Sequence, residues 1–212
     1  LMMMDAAGEV KNGDQLLYII ARARRKSGLL HGGVVGTVMS NLGFEHALQA
    51  NDIPFERAAV GDRHVMEKLV HNDWRLGGES SGHIICLDKT TTGDGIIAAL
   101  QVLDALIGEG QTLSEACGDM GIYPQTMINV PISQPMNLND SAEVQDAVGV
   151  AEEELADSGR VLLRASGTEP LIRVMVEGQD EAQVTALAKR LAQIVADVAK
   201  AGGAVEQPGD QL

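Results

Sequence analysis

The sequence predicts a mixed-sheet α/β domain followed by a smaller α+β domain, and three observations support this. Short β-branched or aliphatic runs alternate with helical patterns through roughly the first 128 residues. A stretch with Pro131, Pro135 and several asparagines then interrupts the pattern, as expected for a linker or an edge strand. Beyond it, two strand-like runs lie between two helical patterns, which is typical of an α+β unit.

The elements of the first part follow from local patterns. The predicted strands are residues 1–5, 32–39, 55–60, 74–78 and 83–88. The predicted helices are an apolar segment carrying Leu16 to Ile20, residues 42–50 after the N-cap candidate Ser40, residues 64–71, and the strongly apolar segment 96–107. Because each strand but the fourth leads into a helix, the α/β class follows.

The second part is predicted to contain helices at 142–156 and 181–200 and strands at 161–163 and 171–176. Residues 201–212 have no periodicity, which predicts a disordered tail. We therefore expect four divisions: a remnant of a preceding α/β domain at 1–26, the α/β domain at 27–128, the α+β domain at 129–200, and the tail.

Composition excludes several classes of function. The chain has 212 residues, a formal charge of -14 and 45% apolar residues. This acidity disfavours nucleic acids and anionic membranes as partners, and no apolar run is long enough to span a membrane. Cys86 and Cys117 lack zinc-ligand spacing and are predicted to be buried thiols in a cytoplasmic protein. Since Leu1 opens inside an apolar run, we expect further chain upstream.

A polar turn between two predicted strands, Gly77 to His83, is the first candidate site. Its Glu79 and Ser81 can hydrogen-bond sugar hydroxyls. Gly78, Ser80 and Gly82 also fit the nucleophile-elbow spacing of serine hydrolases, but that pattern leads into a helix and a strand is predicted here. Polar loops at strand ends, including Asp62 and Arg63, are weaker candidates.

The second candidate site is the loop from Arg164 to Arg173. Gly167 lets backbone N–H groups converge, Ser166 and Thr168 add hydroxyl donors, and the two arginines offer fork-shaped charge to an anion. The spacing alone favours two interpretations about equally. One is this anion-binding loop, and the other is an ordinary hairpin turn that carries two solvated arginines.

Together, the turn Glu79 to His83 and the loop Arg164 to Pro170 resemble the sugar-binding and phosphate-binding loops of the α-D-phosphohexomutases. Further runs at 36–41, 60–63 and 87–95 resemble the bacterial branch that acts on glucosamine phosphates, on the route to cell-wall precursors. The resemblance extends from Leu1 to about Lys200. It implies a magnesium-dependent isomerase with four domains around one cleft, which transfers a phosphoryl group through a phosphoserine and a bisphosphorylated sugar.

The resemblance also implies residue roles. The residues expected to bind the sugar are Glu79, Ser81 and His83, with Asp62 and Arg63 facing the same cleft. His83 would additionally assist proton movement. The residues expected to bind the phosphate that is not being transferred are Arg164, Ser166, Gly167, Thr168 and Arg173.

Two family motifs are absent from this sequence. Neither the Ser-His-Asn-Pro phosphoserine loop nor the Asp-x-Asp-x-Asp-Arg magnesium loop occurs, so both are expected upstream of Leu1. We therefore expect no catalytic nucleophile and no bound metal in this chain, which would be the inactive C-terminal half of the enzyme. Its expected partners are a phosphosugar and the preceding domains. The alternatives are a noncatalytic phosphosugar-binding module and a serine hydrolase using Ser80.

Overall fold

The computed structural model describes residues 1–133, 137–167 and 169–202. The chain divides into two compact units, the first comprising Leu1–Ile122 and the second beginning at Tyr123. Thr168, Pro135 and most of the predicted tail, residues 203–212, lie outside the described residues.

The first unit is an α/β domain built on a mixed sheet. Its strands are β1 (Met3–Met4), β2 (Val10–Lys11), β3 (Val34–Thr37), β4 (Phe55–Ala58), β5 (Leu76–Gly78) and β6 (Ile84–Cys86). Its helices are α1 (Gly13–Ser27), α2 (Leu42–Ala50), α3 (Asp62–Asn72), α4 (Gly95–Glu109) and α5 (Leu113–Cys117). The main sheet has the order β4-β3-β5-β6, with β3 parallel to β4 and β5 and with β6 antiparallel to β5. The predicted fold class is confirmed.

Helix α1 lies at the centre of the first unit. Asn12 and Gln15 form a capping box at its start, and Gly28 ends it in the left-handed conformation with φ 72°. Six consecutive side chains from Leu16 to Ala21 are buried and share one core with Val34 and Phe44. Residues 1–26 are therefore not a separate compact unit, because α1 supplies the core on which the sheet packs.

The second unit is an antiparallel sheet covered by two helices. Its elements are β7 (Gln125–Pro131), α6 (Ala142–Leu155), β8 (Gly159–Ala165), β9 (Leu171–Gly178) and α7 (Glu181–Gly202). The strand order is β7-β9-β8. Ile172, Val174 and Val176 of the central strand are buried in one core with Val184 and Leu191 of α7, which accords with the predicted α+β architecture.

The division between the units precedes the expected boundary at 128–129. That boundary falls inside β7, whose backbone pairs with β9 from Gln125 to Pro131. Val130 of this strand is buried in the core of the second unit. Pro131 is tolerated because β7 is an edge strand, so the segment before this proline is an edge strand rather than a linker.

The start of α1 approaches the β5–β6 turn so closely that only glycine fits at position 13. A Cβ there would collide with the carbonyl oxygen of Glu79 and the backbone of Gly82. We predict that Gly13→Ala lowers the free energy of unfolding of the first unit by about 1–3 kcal/mol, because backbone must move to admit the methyl group. Denaturant unfolding followed by circular dichroism measures this change.

Gly149 of α6 is the matched control, since a Cβ at that position meets no atom within 4 Å. Gly149→Ala is expected to leave stability unchanged or slightly raised, as for glycines in open helical positions. Equal stability of the Gly13→Ala variant and the wild type would contradict the tight approach.

Candidate functional site

Three loops of the first unit meet at one edge of its sheet. They follow the carboxyl ends of the parallel strands β3, β4 and β5, and comprise residues 38–41, 59–61 and 79–83. Ligands of open α/β sheets bind at this edge. The turn predicted to bind a sugar is one of these loops, and Asp62 follows another at the start of α3.

The first turn of α1 fixes two of these loops. Its Gly13 N–H donates to the carbonyl oxygen of Ser80 at 2.9 Å. The carboxylate of Asp14 accepts a buried hydrogen bond of 2.8 Å from the backbone N–H of Asn41. Asp14 was not among the residues singled out from the sequence.

Glu79 connects two loops. Its carboxylate accepts a 3.0 Å hydrogen bond from the backbone N–H of Gly61. Within its own turn, its N–H donates to the carbonyl oxygen of His83 at 2.9 Å, and its carbonyl accepts from Gly82. Gly82 has φ 95°, which favours glycine. The turn therefore holds the carboxylate of Glu79 in a defined position at the sheet edge.

His83 and Asp62 lie side by side. Nε2 of His83 is 3.7 Å from Oδ2 of Asp62, which is longer than a hydrogen bond. The same nitrogen is buried without a hydrogen-bond partner in the described part of the chain. Gly93 packs on the imidazole so closely that a Cβ there would overlap the ring. Ser81 and His83 line a hollow of about 250 Å³.

Arg63 makes its side-chain contact on its own helix and not with this group. Its guanidinium donates to the carboxylate of Glu67 at 2.8 Å, one turn further along α3. This hydrogen bond raises the pKa of Arg63 and lowers that of Glu67. Glu79, Ser81, His83 and Asp62 are thus placed at one sheet edge, whereas the exposed Arg63 is paired along its own helix.

Arg57 was not singled out from the sequence, yet it fixes the third loop. From β4 its guanidinium donates to the carbonyl oxygens of Thr37 at 3.0 Å and Ser40 at 2.7 Å. It also pairs with Glu45 of α2 at 2.7 Å. No sequence signal identifies such a residue, because two of its partners are backbone carbonyls.

In the second unit, the loop from Ser166 to Pro170 closes the β8–β9 hairpin. The N–H of Ser166 donates to the carbonyl oxygen of Leu171 at 2.9 Å, and the N–H of Glu169 donates to the hydroxyl of Ser166 at 3.3 Å. Gly167 is open, since a Cβ there would meet no atom within 4 Å. Thr168, a predicted phosphate ligand, lies outside the described residues.

The two arginines of this hairpin face each other. Arg164 of β8 is the direct cross-strand partner of Arg173 of β9. Burial, and then the positive charge of Arg173, lower the pKa of Arg164. Nε of Arg164 is buried and has no hydrogen-bond partner among the described residues. Arg173 lies 3.6 Å from the carboxylate of Glu169.

This arrangement favours an anion. Like charges directly opposite each other on neighbouring strands destabilise a sheet. An anion between the guanidinium groups would offset that repulsion and provide charge-assisted hydrogen bonds. Because Arg164 is half-buried, an ordinary hairpin with two fully solvated arginines does not describe the structure.

The structure also bears on the nucleophile-elbow interpretation of Ser80 and on the two cysteines. The turn carrying Ser80 leads into β6, a strand, so it lacks the strand-to-helix geometry of a nucleophile elbow. Cys86 and Cys117 are buried free thiols, as predicted, and burial raises the pKa of both.

The described residues contain neither a grouped set of metal ligands nor a membrane-spanning helix. Within residues 1–133, 137–167 and 169–202, no three or more His, Cys, Asp or Glu side chains are grouped to hold a metal ion. Among the helices of the same described residues, none is both long and apolar enough to cross a membrane.

Sequence comparison identifies relatives. Residues 12–123 match the family described as phosphoglucomutase/phosphomannomutase, alpha/beta/alpha domain III, and residues 127–194 match its C-terminal domain. Phosphoglucosamine mutase of Thiobacillus denitrificans is 56% identical over 204 residues, which are 96% of this chain and 44% of that protein. The Hahella chejuensis phosphoglucosamine mutase is 57% identical over 92% of this chain and 44% of its own length.

Solved structures share the fold. Aspergillus fumigatus N-acetylphosphoglucosamine mutase, in complex with GlcNAc-6P and magnesium, aligns with a TM-score of 0.79 and 21% identity over 93% of this chain and 46% of its own. A Burkholderia thailandensis phosphoglucomutase/phosphomannomutase family protein aligns with a TM-score of 0.72 and 17% identity over 100% and 45%. Because these sequence identities are low, the two alignments show a shared fold and nothing further.

The chain spans less than half the length of the curated relatives that it matches. The family models cover both of its compact units. The resemblance drawn from the two polar loops is therefore confirmed: the chain belongs to the phosphoglucomutase/phosphomannomutase family.

Proposed function

We propose that this chain is the substrate-recognition part of a phosphoglucosamine mutase. The full-length isomerase would interconvert glucosamine 6-phosphate and glucosamine 1-phosphate through a phosphoserine and a bisphosphorylated sugar. The proposal draws on curated relatives of that name at 56–57% identity and on the two polar loops of this chain.

The cross-strand pair Arg164 and Arg173 carries the proposal. Two guanidinium groups opposite each other at the end of a hairpin provide bidentate donors for a phosphate that is not being transferred. Ser166, Gly167 and Thr168 in the adjoining loop would add hydroxyl and backbone donors. This loop is the phosphate-binding part of the proposal.

In the first unit, the sugar would be held at the sheet edge. Glu79 would accept hydrogen bonds from sugar hydroxyls, and Ser81 would donate or accept them. His83, beside Asp62, would support the same loop or assist proton movement. Arg63 would have to leave Glu67 to reach a ligand.

Phosphoryl transfer requires groups that these residues do not provide. A nucleophile must accept the phosphoryl group, and magnesium, when bound, neutralises the developing charge. We place both in the preceding domains of the full-length protein, which are this chain's proposed partner. A cytoplasmic location accords with the two free thiols.

A noncatalytic phosphosugar-binding module is the second candidate. The same arginine pair favours it, because phosphate recognition does not need the nucleophile. The two candidates differ in whether a nucleophile and a metal site complete the protein.

Ligand binding tests the recognition role. We predict that glucosamine 6-phosphate shifts the backbone amide resonances of residues 166–168 and 79–83 in the two-dimensional NMR spectrum of this chain. Arg164→Ala should raise the dissociation constant at least about 10-fold, since a charge-assisted hydrogen bond contributes about 1.5–3 kcal/mol. Glucose 6-phosphate in place of glucosamine 6-phosphate reports the contribution of the amino group.

Arg190→Ala is the matched control for this titration. It removes another guanidinium of the second unit, which extends from α7 and forms an exposed ion pair with Glu154 of α6. This variant should leave the dissociation constant unchanged. Absence of shifts at millimolar ligand, or equal loss of affinity in both variants, would argue against the arginine pair as the phosphate site.

The purified chain alone should show no mutase turnover. A coupled assay for glucosamine 1-phosphate formation, with added magnesium and glucosamine 1,6-bisphosphate, measures this. The full-length Thiobacillus denitrificans relative serves as the positive control. Turnover that co-purifies with the chain, and persists when it is expressed in a host depleted of its own mutase, would mean that the chain contains a nucleophile.

A further inference from the structure

Glucosamine 6-phosphate, the proposed substrate, carries a group that glucose 6-phosphate lacks. Its amino group is protonated over much of the neutral pH range, as α-amino groups with a pKa of about 8 are, whereas glucose 6-phosphate has a neutral hydroxyl at the same carbon. A hydroxyl donates and accepts hydrogen bonds, but an ammonium group only donates and is positively charged. A site that prefers the amino sugar therefore needs an acceptor, and a carboxylate accepts the strongest hydrogen bonds.

Asp62 is a carboxylate of the sheet edge with an unused oxygen. It begins α3, and its side chain is 63% exposed. Its Oδ1 accepts a hydrogen bond of 2.8 Å from the backbone N–H of Arg63. Its Oδ2 accepts no hydrogen bond from the described residues and lies 3.7 Å from Nε2 of His83. A ligand at the sugar-binding turn can therefore donate a hydrogen bond to Oδ2.

The neighbouring carboxylates of this edge are already engaged by backbone groups. Glu79 is half-buried and accepts a backbone hydrogen bond of 3.0 Å from the next loop. Asp94 is also half-buried and accepts from two backbone N–H groups at the start of α4, at 2.8 and 3.0 Å. Asp14 is buried and holds another loop. Asp62 differs from these three because its carboxylate is exposed.

The cations closest to Asp62 along α3 contact a different carboxylate. The guanidinium of Arg63 donates to Glu67 at 2.8 Å, and the imidazole of His64 lies 3.4 Å from the same side chain. The positive end of the helix dipole at the start of α3 also favours a negative charge at this position. The charge of Asp62 is therefore directed to a ligand, where it attracts an ammonium group and repels a phosphate.

We propose that Asp62 is a specificity-determining residue, which binds the ammonium group of glucosamine 6-phosphate through Oδ2. This assignment rests on the proposed function, because it requires the sugar to lie at the sheet edge beside Glu79. Glu79 and Ser81 bind hydroxyls that glucosamine and glucose share, whereas Asp62 binds the group that differs between them. The role concerns binding and requires no nucleophile or metal.

Dissociation constants measured by NMR titration test this role. The wild-type chain should bind glucosamine 6-phosphate about 3-fold or more tightly than glucose 6-phosphate, as expected for an ion pair at a partly exposed position. Asp62→Asn should abolish the preference by weakening only the glucosamine complex, because asparagine has nearly the shape of aspartate without its charge. The affinity for N-acetylglucosamine 6-phosphate, whose nitrogen is a neutral amide, should not respond to this substitution.

Asp104→Asn is the matched control, since it removes the same charge from an exposed position of the first unit. Asp104 lies nine residues after Gly95, which is about 14 Å along α4. Its charge is largely screened over that distance, so the control should keep the wild-type preference. Asp62→Glu retains the carboxylate and should keep part of the preference, which a variant with a disrupted loop would not do. Circular dichroism verifies that each variant is folded.

Three results would overturn this role of Asp62 and leave the proposed function intact. They are equal affinity of the wild-type chain for both sugar phosphates, an unchanged preference in Asp62→Asn, and an equal loss of affinity for both sugars in that variant. In each case the phosphosugar still binds, and Arg164→Ala still weakens it. If the wild-type chain binds neither sugar phosphate, the proposed function fails and the role of Asp62 fails with it.

Discussion

The first unit depends on the burial of α1 from Leu16 to Ala21, and especially on the two hydrogen bonds made by the first turn of this helix. Gly13 binds the carbonyl oxygen of Ser80, and Asp14 binds the backbone of Asn41. These bonds attach two loops at the carboxyl edge of the sheet to a helix that cannot move without disrupting the core. The position of Glu79 is therefore set by packing elsewhere in the unit as well as by its own turn. Such preorganisation reduces the cost of ordering a site when a ligand binds.

In the second unit, the register of the strands holds the candidate site residues in position. Pairing along the β8–β9 hairpin brings Arg164 opposite Arg173, although the two charges repel. A folded sheet can hold this pair because many backbone hydrogen bonds and a buried apolar face fix the strands. The repulsion then favours any anion that binds between the arginines. Rigid support for a locally unfavourable arrangement is common at functional sites.

Much of this organisation could be predicted from the sequence, because apolar periodicity directly reports which faces are buried. The alternation through the first unit and the helix over 181–200 are examples. For strand β7, Pro131 and the nearby asparagines left a linker and an edge strand as alternatives, and the structure shows the edge strand. The short helix α5 lacks the length for a clear periodic signal.

The site was predictable only where its residues are adjacent along the chain. The hydroxyls, glycine and arginines of the second-unit hairpin fall within ten residues and could be recognised together. The bond between Asp14 and Asn41 joins residues 27 positions apart, and Arg57 binds carbonyl groups. Such contacts depend on tertiary packing and leave no local pattern. The opposition of Arg164 and Arg173 depends in addition on the exact register of the hairpin.

The proposed recognition role requires that the arginine pair bind the phosphate of a phosphosugar. A crystal structure of this chain grown with glucosamine 6-phosphate tests it most directly. We expect phosphate oxygens within hydrogen-bond distance of the guanidinium groups of both Arg164 and Arg173. Ordered ligand bound elsewhere on the chain, with this pair free of phosphate, would contradict it.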